Sequence, residues 1–319
     1  MKLSDYIAEF LSKITDSVFV GQGGNIIHVL DSLGKRKDIE VIPSQNEQGA
    51  SIAADAYSRL TNKIGVTAAT SGPGMLNLMQ GMACSFFDSI PTFHFSGAVV
   101  TGQLRKNKKI RQIGFQEMEV VDLVKPITKY AVLLKDKDKI RYELEKMFYL
   151  AHEGRPGPVL MDLPDDLQRA EIDPKKLISF NPPKFKSKKI NFDKKLISLI
   201  SNAKRPLIIL GHGINLSNTK KDVEKFIKNT GIPFAPSWGT IDLFPYKNKL
   251  NAGTFGVAAT RYGNFAVQNC DLLISLGCRL NTQITGSNIK SFAPNAKKIV
   301  VDIDENEFKK NNGLKIDLK

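Results

Sequence analysis

The chain has 319 residues, room for two domains of ordinary size, and its 42% hydrophobic and 24% charged content describe a soluble globular protein. No apolar run approaches membrane-spanning length, no charged-then-apolar leader opens the chain, and Cys84, Cys270 and Cys278 with four histidines form neither a disulfide frame nor a metal knuckle, so a reducing cytoplasm is expected. The net charge of +14 comes mainly from lysines spread along the chain, without a nucleic-acid-binding signature, so attraction for anionic substrates is expected and nucleic-acid binding is not.

Residues 3–14 place Leu3, Tyr6, Ile7, Phe10, Leu11 and Ile14 at spacings of three and four, which predicts an amphipathic helix. A short strand over 17–20 runs into Gly21-Gln22-Gly23-Gly24-Asn25, and a helix follows over 26–33. Glycines between strand and helix let a ligand approach the backbone, although a tight turn accounts for them equally well. Strand 39–42 then leads through a polar turn to Glu47 and an Ala-rich helix over about 50–60. Glu47 therefore stands at a helix N-terminus, where unpaired N–H groups and the macrodipole favour negative charge. Position alone fits a helix-capping glutamate.

Residues 63–70 read as a buried strand that opens, through Ser71-Gly72-Pro73-Gly74-Met75-Leu76-Asn77, into another helix. The alternation of strand, turn and helix predicts a parallel sheet covered on both faces. Ligands of such sheets sit at the carboxyl ends of the strands, and the turns at 21–25, 43–47 and 70–74 all fall at that edge. A strand over 91–96 leads to a polar, basic segment at 102–111 that reads as an exposed loop. Residues 154–164 give a turn and a last buried strand, and the first domain ends near 170.

A Pro- and Lys-rich linker follows, and the alternation resumes with a helix over 194–202. A buried strand over 206–210 closes in Gly211-His212-Gly213, and a helix spans 220–230. Strand 233–235 precedes the turn Ser237-Trp238-Gly239. Strand 272–276 ends at Gly277-Cys278-Arg279, and strand 298–303 ends at Asp304. This pattern predicts a second doubly wound domain of dinucleotide-binding character, about one strand and helix short of complete.

Glu47, the turn Thr70-Ser71-Gly72-Pro73-Gly74, the run Gly114-Phe115-Gln116-Glu117 and the run Gly154-Arg155-Pro156-Gly157-Pro158 together resemble the thiamine-diphosphate enzymes, most nearly the large subunits of acetolactate synthase. The series continues in order through Gly253-Thr254-Phe255-Gly256, Gly277-Cys278-Arg279 and Phe292-Ala293-Pro294-Asn295-Ala296 to Asp302-Ile303-Asp304. The resemblance implies an α/β fold of two doubly wound parallel-sheet domains. These are a thiamine-diphosphate pyrimidine-binding domain over 1–170, a linker over 171–190, and a Rossmann-like central domain over 191–319, incomplete at its C-terminus.

The same resemblance assigns roles. Glu47 faces the aminopyrimidine ring nitrogen of thiamine diphosphate, where a carboxyl group favours the imino tautomer that takes the proton from the thiazolium ring. The backbone at Gly24 and the amide of Gln116 lie near the developing oxyanion. Gly23, Gly24, Glu47, Ser71, Gly72, Pro73, Gly74 and Asn77 line the cofactor. The second domain resembles one that holds FAD, and by position Arg155, Gly211, Gly213, Ser237, Trp238, Gly277, Arg279, Asp302 and Ile303 line it, with Arg279 on its diphosphate and Asp302 on its ribose. An ordinary set of α/β turns with a surface arginine accounts for those residues as well. The family holds the cofactor diphosphate and Mg²⁺ through a Gly-Asp-Gly motif that this sequence lacks. No metal ligands are therefore expected here, and Mg²⁺ enters only through a missing domain or a partner. The chain then reads as a truncated product, a fragment or one part of a split enzyme, inactive without a diphosphate-binding domain from a dimer or tetramer or from a separate chain.

The implied activity is decarboxylation of pyruvate, or another 2-oxo acid, and transfer of the two-carbon unit to a second 2-oxo acid, as in branched-chain amino acid biosynthesis. Four departures from the family leave alternatives open. Asp165 stands where the synthases carry Lys, Phe255 where they carry His, and Asn281-Thr282-Gln283 replaces an acidic pair followed by Arg. The basic segment 102–108 lacks the usual Val-Pro run; it suits a phosphate-bearing acceptor or is a solvated loop. The alternatives are a related enzyme acting on a keto-sugar nucleotide in surface polysaccharide synthesis, a 2-oxo acid decarboxylase, and a non-catalytic nucleotide-binding partner.

Overall fold

The computed structural model describes residues 1–107, 109–183, 194–310 and 313–319. The Lys-rich run of the linker, 184–189, and Lys108 of the basic segment lie outside the described residues. The chain divides into two compact units, Met1–Phe185 and Lys186–Lys319.

In the first unit, six parallel strands are ordered β2-β1-β3-β4-β6-β5. They are β1 (Ser17–Val20), β2 (Glu40–Pro43), β3 (Gly65–Ala69), β4 (Thr92–Ala98), β5 (Tyr130–Leu133) and β6 (Val159–Pro164). The central strands β3, β4 and β6 are buried along their whole length, as strands covered on both faces must be. Helices α1 (Leu3–Leu11), α2 (Ile27–Gly34), α3 (Glu47–Thr61), α4 (Pro73–Asp88), α5 (Val120–Val124), α6 (Ile140–His152) and α7 (Asp165–Gln168) connect and cover them. Leu3, Ile7 and Leu11 put the apolar stripe of α1 into one core, with Phe93 and Phe95 of β4. Met75, Leu78 and Met82 of α4 build a second core with Val120 and Leu160.

Several predicted boundaries move. The first helix stops at Leu11, the strand expected over 63–70 shortens to Gly65–Ala69, and α3 begins three residues before the Ala-rich stretch. Strand β5 and helix α6 are additions that the sequence reading did not contain. Ile172 and Leu177, beyond position 170, are buried in the core of this unit.

Alternation along β4 sends Phe93 and Phe95 to one face of the sheet and Thr92, His94 and Ser96 to the other. The His94 ring bonds the Thr67 and Thr92 hydroxyls at 2.7 and 2.8 Å, and Ser96 Oγ donates to Asp162 Oδ1 at 2.5 Å. Burial with so few partners pushes the Asp162 carboxyl up to about 7 and the His94 imidazole down to about 3.

The second unit contains α8 (Lys194–Asn202), β7 (Pro206–Leu210), α9 (Gly213–Leu216), α10 (Lys220–Thr230), β8 (Phe234–Pro236), α11 (Arg261–Asn269), β9 (Leu272–Leu276), α12 (Thr282–Thr285) and β10 (Lys297–Val301). Its four parallel strands run β10-β9-β7-β8. The last strand ends two residues before the expected 303. Both units are thus parallel-sheet α/β layers, as the alternating pattern requires. Among the described residues no helix is long and apolar enough to cross a membrane.

Candidate active site

The first sheet reverses its winding at β1. The chain steps outward from β1 to β2, then returns to pair β3 on the other edge of β1. Crevices open at the carboxyl ends of strands where the order reverses in this way. Three segments meet at that edge: the turn after β1, the turn into α3, and the turn from β3 into α4.

Glu47 is the first residue of α3, and Asn46 is its N-cap, accepting the Gln48 N–H at 2.7 Å. The capping role that position alone allowed for Glu47 therefore belongs to Asn46, and the Glu47 side chain is left for another use. That side chain lies half-buried across the end of β1. A Cβ on Gly21 would fall 2.2 Å from Glu47 Cγ and 2.9 Å from Oε1, so only glycine at 21 admits the carboxylate there. Asn77 Nδ2 donates to Glu47 Oε2 at 3.0 Å, fixing the carboxylate from α4. Gly23 and Gly74 both stand against Thr70, where a Cβ would come within 2.3 and 2.5 Å of its side chain from Gly23 and 2.8 Å from Gly74.

Gln116 arrives from a different part of the chain. Its backbone is left-handed at φ 63°, uncommon for a residue with a side chain, and it backs onto Gly72, itself left-handed at φ 61°. A Cβ on Gly72 would lie 2.8 Å from that of Gln116. Buried Glu117 holds this conformation, its two oxygens accepting the backbone N–H groups of Arg105 and Ile113 at 2.6 and 2.8 Å. The Arg105 guanidinium donates to the carbonyls of Ile110 and Arg111 and pairs with Glu119 at 3.4 Å. The segment 102–111 is thus not wholly the exposed loop expected. Lys106, Lys109 and Arg111 are exposed, but its root is closed by Arg105 and Glu117.

The structure therefore brings Glu47, Gly23, Gly72, Pro73, Gly74 and Asn77 to one edge, with Gln116 against Gly72. Gly24 opens a single helical turn, Gly24–Ile26, and, its chain neighbours aside, no described residue comes within 4 Å of the place where its Cβ would be. Ser71 is buried and accepts a hydrogen bond from Asn25 Nδ2 at 2.6 Å. Gly21 and Thr70 shape the recess, although the sequence reading named them only as parts of turns. Gln168, which reaches the same turn from α7, carried no sequence signal. A carboxylate with an amide donor on one oxygen, over a floor of glycines, suits a flat ring bearing a nitrogen that shares a proton. The residues present fit the aminopyrimidine end of thiamine diphosphate.

The departures from the family pattern have local accounts. Asp165 starts α7 beside His28 Nε2 at 3.5 Å and Arg169 Nε at 3.6 Å. Phe255 is fully buried in the core of the second unit, and Asn281 caps α12.

In the second unit the expected flavin residues lie after strand ends. Gly211, Gly213 and Gly277 pack backbone against backbone, since a Cβ on Gly211 would be 2.1 Å from the Gly277 carbonyl oxygen. That contact explains these glycines without a ligand. Ser237 is buried beside Thr240, and half-exposed Trp238 donates to the Ala258 carbonyl at 3.1 Å. Arg279 is half-buried after β9; Asp302 is half-buried and Ile303 exposed after β10. Asp302 lines a small cavity with Cys278, whose thiol burial pushes up to about 12. Arg155 belongs to the first unit, at the amino edge of its sheet, where its Nε donates to Ser89 Oγ at 2.7 Å.

Comparison with known proteins places the chain in a family. Residues 1–123 match the family model described as the thiamine pyrophosphate enzyme N-terminal TPP binding domain, and residues 194–319 the thiamine pyrophosphate enzyme central domain. The chain is 34% identical over 317 residues to acetolactate synthase 1, chloroplastic, of Nicotiana tabacum, an alignment covering 97% of this chain and 46% of that protein. It is 35% identical over 300 residues to the probable acetolactate synthase large subunit of Methanocaldococcus jannaschii, covering 92% and 49%. To the acetolactate synthase large subunit of Corynebacterium glutamicum it is 34% identical over 298 residues, covering 92% and 46%. The chain spans about half the length of the relatives it matches.

Proposed function

The chain belongs to the thiamine pyrophosphate enzymes, of which it carries the N-terminal and central domains, and from that membership we propose that it forms the aminopyrimidine-binding half of a carboligase of acetolactate synthase type. The observation that carries the proposal is the Glu47 carboxylate, laid across the end of β1 by the missing side chain of Gly21 and held by the Asn77 amide at 3.0 Å. Thiamine diphosphate, when bound, supplies an electron sink for the two-carbon fragment released from a 2-oxo acid such as pyruvate. Glu47 holds the proton shared with the ring nitrogen, and Asn77 keeps the carboxylate turned toward it. The glycines at 23, 72 and 74 let the ring rest on backbone, and Pro73 fixes the first turn of α4. The Gln116 amide and the backbone at Gly24 serve as donors to a developing oxyanion. Diphosphate and Mg²⁺ are held by a further domain of the family's kind, whichever chain of a dimer or tetramer carries it, in a cytoplasmic enzyme. In the second unit Arg279 and Asp302 receive the diphosphate and ribose of FAD, with Gly211, Gly213, Ser237, Trp238, Gly277 and Ile303 as the other residues of that set.

A second reading concerns the acceptor. The exposed cations Lys106, Lys109 and Arg111, on a loop whose root is fixed at Glu117, favour a phosphate-bearing keto-sugar over a second 2-oxo acid. The test is turnover of pyruvate, with thiamine diphosphate, Mg²⁺ and a diphosphate-binding chain supplied, for the parent and for Glu47→Gln. A loss of about 10²–10⁴-fold is expected for the variant. Equal rates for the two would remove Glu47 from the reaction. Product analysis with and without a keto-sugar phosphate separates the two acceptors.

A further inference from the structure

We propose that Gln168 is a positioning residue for the glycine turn of the site, acting through Asn25. Gln168 ends α7 and is fully buried. Its Nε2 donates twice, to the Asn25 carbonyl at 2.6 Å and to the Leu163 carbonyl at 2.9 Å. Its Oε1 is buried and has no hydrogen-bond partner among the described residues. An amide with one orphaned oxygen carries a cost that an apolar side chain of similar volume would not, but that side chain would take the donor away from the Asn25 and Leu163 carbonyls. What the amide offers is its donor, and that donor holds the turn.

The Asn25 peptide sits in a slot. Opposite Gln168 lies Gly97 of β4, where a Cβ would fall 2.0 Å from the Asn25 carbonyl oxygen. The Asn25 side chain continues the connection, with Nδ2 donating to Ser71 Oγ at 2.6 Å. Ser71 precedes Gly72, on which Gln116 rests. One line of contacts thus ties the end of β6, the turn over 23–26 and the start of α4. The fully buried Ile26 side chain also anchors the turn, but hydrogen bonding within it is slight. Its internal Ile26 N–H to Gly23 carbonyl bond is long at 3.4 Å, Gly24 borders open space, and Ile27 is half-exposed. That the held turn serves a cofactor rests on the function proposed above; that it is held by Gln168 does not.

The experiment is amide hydrogen exchange on the full chain without ligand, comparing the parent with Gln168→Leu, Asn25→Ala and the double variant. Peptides over 21–27 and 70–77 report the connection, and a peptide over 140–152, in α6, reports global opening. Each single variant is expected to speed exchange about tenfold in both site peptides while α6 is unchanged, and the double variant to add nothing further at 70–77. The proposal is overturned if Gln168→Leu loosens 21–27 and leaves 70–77 at the parental rate. It is also overturned if all three peptides loosen alike, or if the two substitutions add at 70–77. Should Gln168→Leu fail to fold, the half-buried Asn25→Ala decides alone: unchanged exchange at 70–77 sinks the connection. Thiamine diphosphate, Mg²⁺ and the diphosphate-binding chain are then added to the parent, and failure to slow exchange at 21–27 would count against the cofactor reading while leaving the ligand-free pattern intact.

Discussion

Gly21→Ala is expected to separate the site from the stability of the fold. The new Cβ would lie 2.2 Å from Glu47 Cγ and 2.9 Å from Cδ and Oε1, and all three are atoms of one side chain. Ordinary carbon contacts begin near ~3.5 Å, so Glu47 must move by about an ångström or more. It can do so because it is half-exposed, and the movement forfeits the 3.0 Å bond from Asn77. A partly solvated hydrogen bond of this kind is worth about 1 kcal/mol. Replacing glycine by alanine outside the left-handed region returns roughly 0.4–1 kcal/mol through the unfolded chain. The two nearly cancel, so the urea midpoint should shift by the equivalent of about 1 kcal/mol or less. Turnover in the assembled enzyme should nonetheless fall about 10²–10⁴-fold, as for Glu47→Gln. Adding Glu47→Ala to Gly21→Ala relieves the contact and restores stability without restoring turnover. Parental turnover in Gly21→Ala, or a loss of about 3 kcal/mol of stability, would show that Glu47 is not placed by the gap at residue 21.

Two further predictions concern the first unit. Asp162, held up to about 7, keeps a proton in the fold that the unfolded chain loses near pH ~3.9, so its contribution is full below about pH 4 and fades as pH rises to about 7. His94, held down to about 3, acts the other way, with its contribution full above about pH 6.5 and fading as pH falls. Asp162→Asn removes the first slope, so urea midpoints should climb between about pH 4.5 and 6.5, by an amount on the order of a few kcal/mol, and then level. A variant whose stability still falls over that interval would contradict the assignment. Asn46→Ala should cost about 1 kcal/mol, a fall of about 2–4 °C in Tm, and Glu47→Ala less. The reverse order would return the capping role to Glu47.

The strands of both sheets were legible wherever apolar residues ran together between turn residues, as at 206–210 and 272–276, because a strand buried on both faces has no polar side to disguise it. Strand β5 was missed because Tyr130–Leu133 is an edge strand, only half-buried and flanked by charged residues. The glycine turns and Glu47 were legible as an ordered series, and their common edge followed from the winding of a parallel sheet.

The amino-acid order by itself determined two α/β layers, the edge on which a ligand would lie, and the carboxylate at the head of α3. It did not determine that Asn46 caps the helix, that Gly21 and Asn77 aim Glu47, that Glu117 closes the basic segment behind Gln116, or that Gln168 reaches Asn25. Each of these is a contact between side chains or peptides distant along the chain. Local periodicity records which face of an element is buried, whereas the partner that a buried polar group meets is set only when the sheet brings its turns together.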